Sequence, residues 1–276
     1  MASLSNYLVI TLMVMCLYFS TTTGVINFFI LIGLLVTAVF TQGNGLLIPL
    51  IISLSYLINK KYKQFFIIAI FSCFMMAIYF MNYKTPPHHS DPLLLLSHTT
   101  TIFIFSISFV GNSLGFAGSH YPLLTIFALC MTLPLGFFIY YVTFKVILNK
   151  DMNNYKNLIW INVFVIATSL LTAVSRYDFG LSQSMVPRYH MYSIIAIVST
   201  ILIISSNQKF AVRETPRILN YLMISAKLYY ILTIFCLMYF YFIVYAPEKE
   251  KGYIHTNYKE SLEILNTAKI LNTFRP

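Results

Sequence analysis

The chain has 276 residues, 58% of them hydrophobic and 9% charged, with mean hydropathy +0.76; an ordinary soluble domain carries roughly a quarter charged residues. Apolar runs long enough to cross a hydrocarbon core of roughly 30 Å recur along the whole sequence, so a water-soluble fold is excluded and an all-α, polytopic transmembrane helical bundle is predicted. The net charge of +10 does not point to nucleic acid, because the bases are dispersed in short loops and not gathered on one face.

In chain order, apolar segments fall at about 7–22, 25–41, 45–59, 64–83, 94–115, 122–144, 157–175, 190–206 and 221–245. The first is read as an uncleaved anchor, since no basic residue precedes it. The loops 59–63, 145–156 and 207–217 hold three bases each, which assigns all three to the cytoplasm. An even number of crossings must then separate Lys63 from Lys145, yet three apolar segments lie between them. The segment 94–115, with His98, three consecutive threonines and a Gly111-Asn112 pair, is the one expected to lie along or dip into the outer face. The alternative is an ordinary tilted span with one loop breaking the charge rule. The expectation is therefore about eight spanning helices plus one re-entrant or interfacial helix, forming a transmembrane domain over 1–246.

A short tail, 247–276, follows, whose apolar spacing at Leu262, Ile264, Leu265, Ala268 and Leu271 suits an amphipathic helix on the outer surface. All six histidines fall in or beside the outer regions, marking that side as the working one. Cys16, Cys73, Cys130 and Cys236 each lie inside an apolar run, without a second ligand at metal spacing, and read as packing residues.

Three polar constellations stand out. In Pro86-Pro87-His88-His89-Ser90-Asp91, histidines beside a carboxylate could serve as an acid/base pair, or Ser90 or Asp91 could simply cap a helix. In the stretch 175–192, Arg176 and Arg188 are the only arginines expected on the outer side before the tail, and guanidinium groups bind phosphate or carboxylate bidentately. Gly180 and Pro187 suggest a turned loop from which Arg188, Tyr189 and His190 enter the next helix; the competing reading is local, with Arg176 paired to Asp178. The third is Thr41-Gln42-Gly43-Asn44-Gly45, whose glycines allow a tight reversal or close backbone approach. The sequence contains no phosphate loop, nucleophile elbow or zinc motif, and no acidic residue lies in a predicted span.

Taken together, Gln42 to Pro49, Lys60-Lys61, Tyr79-Phe80 with Pro87-His88 and Ser90, Val110 to Gly115, and Ser175-Arg176 through Pro187-Arg188-Tyr189 resemble the C-terminal half of large bacterial polytopic membrane proteins of the GT-C glycosyltransferase type. That resemblance implies transfer of a sugar from a polyprenyl-phosphate donor at the outer face of the bacterial inner membrane, in cell-envelope polysaccharide or O-antigen assembly. Such enzymes place an essential carboxylate in the first outer loop, whereas here nothing acidic precedes Asp91. His88, His89, Asp91 and Asp178 are accordingly the candidate catalytic groups, and Arg176, Arg188, Tyr189, His190 and Asn112 the candidate substrate-binding ones. No metal ligands and no cofactor are expected, a divalent cation being the one addition this chemistry would admit. The expected partners are membrane lipid, a lipid-linked sugar and a second membrane subunit. The alternatives are a non-catalytic accessory or translocation subunit for lipid-linked glycans and a small-solute transporter.

Overall fold

Hydrocarbon offers no hydrogen-bond partner, so a membrane chain satisfies its backbone only within helices or a closed barrel. A computed structural model describes residues 2–22, 24–81, 98–112, 122–148 and 152–206, and among these there are helices and no strands. Their order is α1 (Ala2–Thr21), α2 (Val25–Thr41), α3 (Leu47–Ile58), α4 (Tyr62–Phe80), α5 (Thr99–Gly111), α6 (Pro122–Leu148), α7 (Met152–Arg176) and α8 (His190–Ser206). Five of the described helices are long and apolar enough to cross a membrane: α1, α4, α6, α7 and α8. Exposed Val25, Ile26, Phe29, Ile70 and Phe74 give the bundle an apolar exterior of the kind that lipid covers and water does not.

α2 has the 17 residues of the predicted segment 25–41, while the predicted segment 45–59 holds a 12-residue α3 preceded by a 3-10 turn at Gly43–Leu46. α5 has 13 residues, about 20 Å at 1.5 Å per residue. Every residue from 105 to 112 is buried, so this half of α5 is enclosed by protein on all sides and does not lie on a surface. Both ends of α5 reach the segment joining α7 to α8: His98 stacks on Tyr177 at 5.0 Å, and the Asn112 carbonyl lies 3.3 Å from His190 Nδ1. The segments 207–217 and 221–245 and the tail 247–276 lie outside the described residues.

α5 packs against α6, α7 and α8. Against α6 the approach is backbone to backbone: a Cβ on Gly111 would fall 1.9 Å from the Thr132 carbonyl oxygen, and one on Gly136 would fall 2.0 Å from that of Ile107. Small residues at such a crossing let helices close without a hydrophobic driving force, which lipid cannot supply. Hydroxyls then tie the helices together. Ser106 bonds both Tyr140 and Ser169, joining α5, α6 and α7, while Ser108 meets Thr132 at 3.0 Å. A second knot centres on the fully buried Asn162 of α7. Its Nδ2 donates to Thr143 of α6 at 3.1 Å and Thr200 of α8 at 3.0 Å, and its Oδ1 accepts from Ser199.

The bundle is polar in different ways at its two ends. At one, the Lys156 ammonium donates to Asn59, drawing the start of α7 onto the α3–α4 turn that carries Lys60, Lys61 and Lys63. At the other, the start of α1 and the start of α8 are joined by the Tyr192 hydroxyl donating to Asn6, with Asn44 of the α2–α3 turn beside it.

Asn162→Leu should lower unfolding stability by about 1–2 kcal/mol, the upper part of the range for intramembrane hydrogen bonds. Gly136→Ala should cost more, about 2–3 kcal/mol, because two backbones must move apart. Denaturation of the purified protein in detergent checks both values, and the reverse ranking would show that polar knots outweigh close approach here.

Candidate functional site

The end of the bundle opposite the lysines gathers most of the described polar side chains singled out in the sequence. α7 ends at Arg176 and is followed by three 3-10 turns, Tyr177–Phe179, Leu181–Met185 and Pro187–Tyr189. Pro187 opens the last of these, where its fixed φ and missing N–H cost nothing. Arg188 and Tyr189 then lead into His190, the first residue of α8, so the turned loop expected between Gly180 and Pro187 is present.

Arg188 is half-buried, and its guanidinium lies over the Tyr189 ring, 4.8 Å from the centroid. Such a stack holds the fork in a plane at little entropic cost. Its buried Nε has no hydrogen-bond partner among the described residues. Tyr189 is itself buried and packs on Phe109 of α5 with ring centroids 4.7 Å apart; Phe109 also meets Tyr192 at 5.8 Å. An aromatic column from α5 therefore supports the arginine from below.

His190 has a positioning role visible in its geometry. α5 stops at Gly111, so its last carbonyls lack intrahelical partners. His190 Nδ1 faces the Asn112 carbonyl at 3.3 Å, and Ser193 Oγ donates to the Phe109 carbonyl at 2.6 Å. A carbonyl only accepts, so Nδ1 carries the proton in this contact, leaving Nε2 as an acceptor when the ring is neutral. The start of α8 thus caps the end of α5.

The remaining expected residues are distributed unevenly. Asn112 is fully buried beneath this loop. Arg176 is half-buried and Asp178 exposed, and no ion pair joins them, so the local pairing weighed for these two is not formed. Among the described residues Asp178 is the only carboxylate, and no three potential metal ligands come together. His88, His89 and Asp91 lie outside the described residues. Of the cysteines, Cys16 is buried in the core, whereas Cys73 lies on the exterior of α4.

One participant escaped the sequence reading. Asn6, 2% exposed on α1, donates through Nδ2 to the Arg188 carbonyl at 2.9 Å and accepts the Tyr192 hydroxyl at 3.2 Å. Asn44 of the α2–α3 turn, singled out in the sequence, lies beside the same hydroxyl. That turn is pressed onto α2, where a Cβ on Gly45 would fall 1.8 Å from the Ala38 carbonyl oxygen. Gln42 opens the turn, and its buried Oε1 has no partner among the described residues. An isolated asparagine in the apolar first segment was the available signal for Asn6.

Comparison with protein-family models, with curated proteins and with solved structures finds no match to this chain.

Removing the Ser193 hydroxyl takes a donor from the C-terminal end of α5, in its enclosed half. Ser193→Ala should speed amide exchange over residues 109–112 by about fivefold, equivalent to about 1 kcal/mol of local stability. Hydrogen-exchange mass spectrometry reads this directly; unchanged protection there would mean that α8 does not hold the α5 terminus.

Proposed function

We propose that the chain is a GT-C-like membrane protein of bacterial cell-envelope glycan assembly, which binds a polyprenyl-phosphate-linked sugar at the outer face of the inner membrane. The observation that carries the reading is the Arg188 guanidinium, stacked on Tyr189 with its buried Nε unpartnered among the described residues. A half-buried, planar, permanently charged donor fork suits a phosphate held at a membrane edge. The opposite end carries the lysine-rich turns, and the charge rule assigns that end to the cytoplasm, leaving the arginine end outside. In this reading a soluble nucleotide is an unsuitable ligand and a lipid phosphate a suitable one.

Within this proposal α5 is a re-entrant helix. Its ends meet Tyr177, just after α7, and His190, at the start of α8, and its backbone is sheltered by protein as re-entrant segments require. The bundle has about eight crossings once the segment at 221–245 is counted. Arg188 holds the phosphate, with Arg176 as a second cation on the same loop and the His190 side chain beside them. His88, His89 and Asp91, or Asp178, supply acid/base chemistry if the chain itself transfers the sugar.

One observation favours the second reading, a non-catalytic accessory or translocation subunit. Asp178 is the only described carboxylate, and it stands exposed at a turn with no ion-pair partner among the described residues. A chain that binds and presents a lipid-linked sugar to a second subunit needs the arginines and no catalytic acid.

The binding claim is tested with purified protein in phosphatidylcholine nanodiscs. Polyprenyl phosphate should bind and Arg188→Ala should weaken it by about 30-fold, as expected for loss of a charge-assisted bond, with Arg188→Lys intermediate. Inorganic phosphate in solution should compete weakly or not at all, separating a lipid headgroup from the free ion. Undiminished lipid binding by Arg188→Ala would remove the basis of the proposal. Sidedness is tested separately in a cysteine-free background: an impermeant thiol reagent should label Asp178→Cys in intact cells and Lys61→Cys only after lysis.

A further inference from the structure

We infer that Asn6 and Tyr192 are positioning residues that set the affinity of the Arg188 site for phosphate, one from α1 and one from α8. This rests on the phosphate-binding reading of Arg188 given above. The chain of contacts has a defined direction. The Arg188 carbonyl can only accept, which fixes the Asn6 carboxamide with Nδ2 toward Arg188 and Oδ1 toward Tyr192. Oδ1 in turn can only accept, so the Tyr192 hydroxyl spends its hydrogen on Asn6. Donation therefore passes from Tyr192 to Asn6 to the Arg188 main chain, and each group meets a complementary one.

Arg188 is thereby held twice. Its main chain is pinned by Asn6 of α1, and its guanidinium is laid on Tyr189, which rests on Phe109 together with the ring of Tyr192. Tyr192 belongs to both supports, through its hydroxyl and through its ring. It is fully buried, and Asn6 is 2% exposed, so neither can touch a ligand at the surface. Any effect of these two on binding has to act through Arg188. The benefit is preorganisation: an arginine already confined to its bound geometry loses less side-chain freedom when phosphate arrives.

The test measures dissociation constants for polyprenyl phosphate in phosphatidylcholine nanodiscs, using the full chain. Tyr192→Phe keeps the ring and removes only the hydroxyl, and Asn6→Ala removes the pin; each should weaken binding by about five- to tenfold. In an Arg188→Ala background the same substitutions should have no further effect. Asn162→Ala, which breaks the other buried asparagine knot, should lower the melting temperature and leave the dissociation constant unchanged. If Asn6→Ala does not fold, Tyr192→Phe carries the test. If both variants bind within about twofold of the parent while Arg188→Ala is weakened, the inference is overturned and the phosphate site stands. A loss that persists in the Arg188→Ala background overturns it as well. If Arg188→Ala binds normally, the phosphate site itself is wrong, and the positioning role falls with it.

Discussion

In hydrocarbon a polar group without a partner costs several kcal/mol, and this constraint shapes where most of the described buried asparagines, serines and threonines sit. Asn162 is the clearest case. It is fully buried, yet both ends of its carboxamide are engaged, with Thr143 and Thr200 on one side and Ser199 on the other. Leucine in its place would fill the volume but would leave three helices sharing only dispersion, which lipid tails supply equally well. The knot therefore specifies which helices neighbour one another. The Ser106, Tyr140 and Ser169 hydroxyls do the same one layer away for α5.

The same constraint explains the shape of α5. A helix that stops inside a protein leaves its last carbonyls unpaired, and the structure resolves this by bringing the start of α8 onto them through His190 and Ser193. That arrangement needs α5 to lie within contact of α6, and the Gly111 and Gly136 backbones make the approach possible. Capping and close packing are thus two parts of one solution. A side effect is that Phe109, drawn in next to the start of α8, becomes the platform on which Tyr189 and then Arg188 rest.

Much of this plan is legible in the sequence where chemistry changes along the chain. The basic turn at Lys60 and Lys61, the turned loop ending at Pro187 and the helix start at His190 follow from charge, glycine and proline. Helix boundaries were unevenly legible: the apolar run at 25–41 matches α2 residue for residue, whereas hydropathy does not say that a 3-10 turn precedes α3. What periodicity could not supply is which buried polar residues meet. Asn6 and Arg188 are 182 positions apart, and Asn162 reads the same from sequence whether it faces lipid or a neighbour. Gly111-Asn112 reads as polar chemistry that weakens a span, with Asn112 a substrate-binding candidate; in the fold Gly111 serves helix packing and the Asn112 carbonyl meets His190.

The functional reading turns on the contrast between the two ends. Where the lysines cluster, cations are met by neutral groups close at hand: Lys156 donates to Asn59, and Lys61 and Lys145 lie over Tyr56 and Tyr141. Flexible ammonium groups of this kind suffice to fix orientation, since any of several positions near the surface will serve. At the other end the cation is an arginine whose main chain is pinned by a buried asparagine and whose side chain lies on a supported aromatic ring. Orientation in the membrane does not require such restraint. Ordering a rotamer-rich side chain before any ligand arrives is a cost without return unless something binds there, and the planar fork selects for an oxyanion able to take two parallel bonds. That asymmetry in how the charges are held, more than their number, is why Arg188 is the centre of the proposed site and the lysines are not.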